Sequence, residues 1–288
     1  MSDSFVIYDG LSLIYRSFFA IKKLNAPDGF PTNALFGFIK TLNQINKRWK
    51  PNRHLVALDG GSPKQRLDLL PEYKANRTPM PDDLRKQLPI IEEYLVLSGI
   101  PFLRQIGREA DDIIASVAIS ASVSGAEVMI ASSDKDLFQL VDDRVSMIMP
   151  LQPDQLFKAA DVQCKMGVSP SQIVDLLSLT GDSADNIDGV DGIGKKTAAD
   201  LLKEFNTIDG IFENISRIKS DRIRSLLLGK RDLLERNRNI VRLILYDDCS
   251  YVSDKYRISK VNSNGLVEFY MKYGMNSMAR DMLEPELF

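Results

Sequence analysis

The chain has 288 residues, 44% of them hydrophobic and 26% charged, with ordinary Gly and Pro content, which excludes disorder, collagen and low-complexity repeats. Two cysteines (Cys164 and Cys249) and one histidine (His54) exclude a disulfide framework and a Cys- or His-ligated zinc site, leaving carboxylates, Lys, Arg and Tyr for any chemistry. The net charge of −2 argues against crude affinity for nucleic acid unless the acids are concentrated in one place.

In chain order, FVIYD (5–9) reads as a strand, Leu11–Phe19 and Ala34–Lys47 as helices, and HLVALD (54–59) as a second strand. A polar connection, GGSPKQRLDLLPEYKANRTPMPD, then runs to Asp82; connections of such length are usually functional or mobile. Asp82–Leu97 carries Leu84, Leu88, Ile91 and Leu95 at helical spacing, an ordinary packing stripe. PFLRQI (101–106), EVMIASSD (127–134) and VSMIMP (145–150) read as strands, with Ala110–Val123 as a small-residue helix between the first two. Strands alternating with helices predict an α/β fold with a parallel sheet covered on both faces. From about residue 168 helices dominate: Ser171–Leu179, Lys195–Phe205, Ile208–Asn214 and Arg222–Leu245. The expected organisation is an α/β domain over 1–167 and a smaller helical domain over 168–288, with the stretch after Tyr251 unassigned. No apolar run approaches the ~20 residues of a membrane helix and no signal peptide precedes the first strand, so a cytoplasmic, soluble monomer is expected.

Three apolar runs end in aspartate: Asp9, Asp59, and the pair Asp134 and Asp136. Ligands of open α/β sheets gather beyond the carboxyl ends of parallel strands, so these acids are expected to converge. Gly107-Arg108-Glu109-Ala110-Asp111-Asp112 opens a helix, where the dipole favours one or two acids by ~0.3–1 kcal/mol but explains three poorly. Asp182 and Asp185, at i and i+3, share a face if their stretch is a helical turn. Two carboxylates ~5 Å apart repel by roughly 3 kcal/mol at an effective dielectric of 20. Nine acids on one edge are therefore tolerable only with divalent cations or bound protons. Oxygen-only donors favour Mg²⁺, with Mn²⁺ as a substitute, and two such ions can activate a water and stabilise a leaving oxygen in phosphodiester cleavage. A phosphatase or a merely acidic surface also suits this pattern taken alone. Setting these nine aside leaves 30 of the 39 acids against 37 Lys and Arg, a basic body around an acidic pocket.

Just after the last acidic pair, DGVDGIGKKTA (188–198) opens a helix. Gly189, Gly192 and Gly194 permit positive φ and close backbone approach. Lys195 and Lys196 fall in the first helical turn, where the dipole disfavours cations unless an anion is near, so backbone phosphates of a duplex are the expected ligand. The spacing is not that of a Walker A loop.

Taken together, IYDGLSLIYRSFFA, ALFGF, LPEYKANRTPMP, GREADDIIAS, SSDKDLFQL, LTGDSADNIDGV and GIGKKTAADLL resemble, in order, the 5′-nuclease (flap endonuclease) family. The likeness is to the 5′→3′ exonuclease domain at the front of bacterial DNA polymerase I, here as a stand-alone protein. The resemblance implies a PIN-like 5′-nuclease fold with a helical arch around 64–100 and a helix-hairpin-helix motif in the smaller domain. It also implies cleavage of DNA near 5′ ends, nicks and 5′ flaps in replication and repair. By the same resemblance Asp9, Asp59, Glu109, Asp111, Asp112, Asp134 and Asp136 surround the catalytic metal, and Asp182 and Asp185 complete a second site. Lys74 and Arg77 match arch residues that act on the phosphate, Arg16 a further basic position near it, and Tyr73 and Arg66 DNA contacts. The hairpin, with Gly192, Gly194, Lys195, Lys196 and Thr197, matches a duplex grip, often with K⁺ on backbone oxygens corresponding to Leu179, Thr180, Asp188, Val190 and Ile193.

Overall fold

The chain opens with β1 (Ser4–Asp9), α1 (Gly10–Ala20), α2 (Asn33–Trp49) and β2 (Arg53–Leu58), in a computed structural model that describes residues 3–283. The ends of the two expected domains, 1–2 and 284–288, lie outside the described residues. There follow α3 (Lys64–Leu69), α4 (Asp82–Ser98), β3 (Phe102–Arg104), α5 (Ala110–Val123), β4 (Glu127–Ala131), β5 (Val145–Ile148), β6 (Leu156–Phe157) and α6 (Ala159–Met166). The remainder is α7 (Ile173–Thr180), the short strands β7 (Gly181–Asp182) and β8 (Ile187–Asp188), α8 (Lys195–Phe205), α9 (Ile208–Glu213), α10 (Asp221–Leu227), α11 (Arg231–Val241), α12 (Ser263–Lys272) and α13 (Asn276–Leu283).

The main sheet has the order β3-β2-β1-β4-β5-β6, parallel except for β6. Because side chains alternate along a strand, Phe5 and Ile7 of β1 face one layer and Val6 and Tyr8 the other. The first layer packs on α5 and on α7 to α11; the second packs on α1, α2, α4, α12 and α13. β1 pairs with β2 on one side and β4 on the other, so the chain winds outward in both directions from it. The crevice between their carboxyl ends is where a ligand is expected.

Several expectations change in detail. PFLRQI pairs over only three residues, because Gly107 and Arg108 bond back to Gly60 and Gln105. β6, two residues long, was too short to carry a pattern. The single helix expected over Arg222–Leu245 is two, α10 and α11, broken at Gly229, whose φ of +70° no helix interior adopts. Apolar spacing continues across the break, which hid it. The arch expected around 64–100 is also smaller. α4 buries Leu84, Ile91, Tyr94 and Leu95 in the core, leaving only the turns between α3 and α4 over the site.

Nor does the boundary at 167/168 separate two cores. Leu176, Leu202 and Leu234 of the helical part share one apolar cluster with Phe5 and Ile7 of β1. After Tyr251 the chain returns to the opposite layer, where Leu266, Phe269 and Tyr270 of α12 pack beside Tyr94 of α4.

Candidate active site

Asp9 closes β1 and caps α1, its Oδ1 accepting from the Ser12 amide at 3.2 Å and its Oδ2 from the Ser132 hydroxyl at 2.5 Å. Asp59 follows β2, held beside the start of α5 because Gly60 lies against the Gln105 carbonyl, where any Cβ would clash. Asp134 follows β4, and its Oδ1 accepts from the Asp136 amide at 2.9 Å. Glu109, Asp111 and Asp112 sit at the N-terminus of α5. Parallel pairing thus delivers separate segments to one crevice, a cleft of about 580 Å³ lined by Asp9, Asp59, Glu109, Asp111 and Asp134.

Asp182 and Asp185 join from the other side. Their segment is a turn between β7 and β8 rather than a helix, with the Asp185 amide bonded to the Asp182 carbonyl. One oxygen each of Asp136, Asp182 and Asp185 lie within 4.8 Å of one another. Asp134 lines both this hollow and the first cleft.

The nine acids divide by charge partner. Glu109 meets Arg66 at 2.5 Å, Lys74 at 2.8 Å and the Ser62 hydroxyl at 3.0 Å. Asp112 is bonded by Arg66, Asp185 by Arg77 and Lys74, and Asp182 by Lys135. Among the described residues, no Lys or Arg lies within ion-pair distance of Asp9, Asp59, Asp111, Asp134 or Asp136. Burial pushes Asp9 up to about 6, against the Ser132 hydrogen bond and with added repulsion from Asp134. Burial first, then neighbouring carboxylates, pushes Asp111 and Asp136 well above the usual carboxylate range and raises Asp134.

Among the described residues this charge is left without an ion pair, with Lys74 and Lys135 acting on it only from a distance. Asp136 Oδ1 is buried with no hydrogen-bond partner among the described residues. An oxygen-only set with an orphaned acceptor and excess negative charge fits a hard divalent cation. Carboxyl groups whose folded pKa is raised contribute stability at low pH that is lost as pH rises through the folded value, here about 6 for Asp9. The ion-free protein is thus expected to gain more melting temperature from millimolar Mg²⁺ or Mn²⁺ at pH 8 than at pH 5. Calorimetric scans at the two pH values check this, and an equal gain at both would move the ions away from these acids.

The expected cationic residues fare differently. Lys74, at a left-handed φ of 59°, donates its amide to the Asp185 carbonyl, which ties the turn after α3 to the second acidic pair. Burial opposes its charge, but Glu109 and Asp185 outweigh that and hold the ammonium above its ordinary range. Arg77 stays half open to solvent beside Asp185. Arg16 is half-buried on α1 and does not line the cleft, where Tyr15 does. Two of the residues expected as DNA contacts are buried. Tyr73 is 6% exposed, its hydroxyl donating between Glu109 and Asp185, and Arg66 is 2% exposed with its guanidinium spent on protein. Both side chains are buried against the acids of the site. Ser62, Ser132 and Lys135, to which the sequence analysis gave no role, also belong to the site.

In the hairpin, the three glycines have separate reasons. Gly189 lies against the Thr180–Gly181 peptide, where a Cβ would meet the Thr180 carbonyl carbon at 2.3 Å; Gly192 takes φ +81°; Gly194 caps α8 in open space. Lys196 is exposed and Thr197 half-buried. Lys195 turns back, its ammonium donating to the Lys165 carbonyl at 2.8 Å. Of the carbonyls expected to hold K⁺, those of Leu179, Asp188 and Val190 already accept from the Val190 amide, Asn237 and the Ile193 amide.

Known proteins place this geometry. Residues 4–167 match the description "5'-3' exonuclease, N-terminal resolvase-like domain", and residues 168–264 match "5'-3' exonuclease, C-terminal SAM fold". The chain is 37% identical over 276 residues to a 5'-3' exonuclease of Aquifex aeolicus, covering 96% of this chain and 94% of that protein. It is 33% identical over 280 residues to DNA polymerase I of Caldicellulosiruptor bescii, of which it spans only 33%. The fold is shared with T5 5'-exonuclease bound to zinc ions (TM-score 0.70, 23% identity, 98% of each chain). It is shared too with the catalytic core of Rad2 in complex with DNA substrate (TM-score 0.66, 17% identity, 99% of this chain and 92% of that one). With both halves matched in order and a relative aligned almost end to end, the chain belongs to the 5'-3' exonuclease family and is a nuclease that hydrolyses DNA.

Proposed function

We propose that the chain cleaves DNA phosphodiesters at 5′ ends, nicks and 5′ flap junctions using two Mg²⁺ ions. One ion would be held by Asp9, Asp111 and Asp134 with Asp59, Glu109 and Asp112 around it, the other by Asp136, Asp182 and Asp185. The observation that carries this reading is the division of charge: Asp9, Asp59, Asp111 and Asp134, without ion-pair partners among the described residues, line one cleft together, with Asp136 in the adjoining hollow. Bound there, the ions would supply an activated water and charge for the departing oxygen.

The chain's own residues bring the phosphate to that place. Lys74 and Arg77 sit at the rim with their cations aimed at the acids, so an entering phosphodiester meets positive charge that neutralises its oxygens as they gain electron density. The turns between α3 and α4 cover the 5′ strand, Arg16 lies one helical position behind the cleft-lining Tyr15, and no protein nucleophile is needed. Amides at the start of α8, with Lys196 and Thr197, hold a duplex phosphate without reading bases. K⁺ on the carbonyls of Thr180 and Ile193, shared with those of Leu179, Asp188 and Val190, would steady this loop. The protein is expected to act as a monomer in the cytoplasm; among the described residues no helix is long and apolar enough to cross a membrane.

A timed digest of a 5′-labelled flap, with and without Mg²⁺, tests the proposal through product lengths. Cleavage at the junction that EDTA abolishes is expected, with a matched RNA flap cut far more slowly; undiminished cleavage without ions sinks it. Because Lys195 is turned away, Lys196→Ala is expected to reduce the log–log salt slope of duplex binding by about 0.9, and Lys195→Ala by much less. Filter binding across a salt series measures both.

A further inference from the structure

Arg66 holds a position that its expected role does not explain. Its Nε donates to the Ile240 carbonyl at 2.8 Å, Nη1 to Glu109 at 2.5 Å and Asp112 at 2.8 Å, and Nη2 to Asp112 at 2.8 Å and the Arg242 carbonyl at 3.2 Å. A planar fork with five N–H donors is thus used in full, on two carboxylates of the site and two carbonyls at the end of α11.

The segment after α11 continues the attachment. Amides of Ile244, Tyr246 and Tyr251 donate to Asp112 Oδ1, Ser116 Oγ and Ser120 Oγ at 2.8, 2.9 and 3.0 Å. Those acceptors are spaced by four along α5 and so form one stripe of the helix whose first turn carries the acids. Less than a turn earlier, α11 reaches the hairpin, since Asn237, fully buried, donates to the Ser178 and Asp188 carbonyls at 3.1 and 2.7 Å. An unbroken set of contacts therefore runs from the duplex-holding hairpin through α11 to Arg66 and the carboxylates.

We propose that Arg66 is a positioning residue that sets Glu109 and Asp112 from the strap formed by residues 242–251, so that ion affinity and the cleavage rate depend on it although it touches neither DNA nor the cleft. A lysine cannot replace it, because a single ammonium lacks the fork that reaches both carboxylates and both carbonyls. Groups that orient metal-holding carboxylates typically alter ion affinity or activity by about 10–100-fold when changed. The inference rests on the reading that Glu109 and Asp112 belong to the ion-holding cage. That reading fails separately if Asp134→Asn, which leaves Arg66 untouched, keeps full Mn²⁺ affinity.

The test uses the full chain, with Mn²⁺ titrated calorimetrically into DNA-free protein and single-turnover cleavage read at saturating flap. For Arg66→Lys, Mn²⁺ affinity and rate are each expected to fall about 10–100-fold, with the flap Kd within about twofold of the parent. Unchanged affinity and rate in the folded variant would make Arg66 a staple of the fold only and overturn the proposal. A weakened Kd with an unchanged saturating rate would make it a DNA contact and overturn the proposal as well. Should Arg66→Lys show no cooperative melting, Ser116→Ala takes its place, since it removes only the Tyr246 attachment and its own bond to the Asp112 carbonyl. Ser116→Ala is expected to weaken Mn²⁺ binding and slow cleavage in parallel, and no change in either overturns the link.

Discussion

Asp134→Asn is expected to slow single-turnover cleavage by about a thousandfold or more and, at the same time, to raise the melting temperature of the ion-free protein. The first effect follows from losing a carboxylate that lines both hollows, when ion-borne charge stabilisation amounts to several kcal/mol and each 1.36 kcal/mol is about tenfold in rate. The second follows from its surroundings. Asp134 is crowded by carboxylates and has no cationic partner among the described residues, so neutralising it relieves repulsion of order 1–3 kcal/mol. The asparagine oxygen can still accept from the Asp136 amide, so the local turn survives. Duplex binding through the hairpin should be measurable throughout. Retention of full activity would falsify the ion assignment, and a lowered melting temperature would show that the acids are not mutually repelling in the ion-free state.

Lys74→Ala is expected to reduce the single-turnover rate by roughly 10²–10³ while changing flap affinity by less than about fivefold. Its ammonium lies 2.8 Å from Glu109 and 3.7 Å from Asp185, at the rim where a phosphate must enter. Removing one partner of a buried pair costs ~3–5 kcal/mol when the other is left alone. Glu109 keeps Arg66, Ser62 and Tyr73, so the stability loss should fall below that range. Single-turnover rates against binding isotherms separate the two effects. A change confined to affinity would reduce Lys74 to an electrostatic attractant for DNA.

These two residues show how unevenly the site could be read. Asp134 announced itself, because an acid after an apolar run of strand length points to a sheet edge, and an excess of such acids demands cations. The same logic located Asp9, Asp59 and the α5 acids. Lys74 sat in a polar connection with no periodicity, where local pattern says nothing, and only likeness to a family singled it out. Arg66 and Tyr73 came from that likeness too, yet their burial depends on which acids lie opposite them. Ser132 and Lys135 lay inside a matching motif but were given no role, since a serine or lysine is common in any loop.

Alternation of apolar runs with helical stretches was enough to specify a parallel sheet, and strand-end carboxylates enough to specify an acidic crevice, because both are properties of short contiguous segments. Contacts between segments distant in sequence decided the rest: which acids are paired by the chain's own cations, the return of α12 and α13 to the layer of α1, α2 and α4, and the strap that joins α11 to α5. The physical reason is that local pattern records which face of an element is apolar, whereas the partner of a buried charge is chosen by three-dimensional packing.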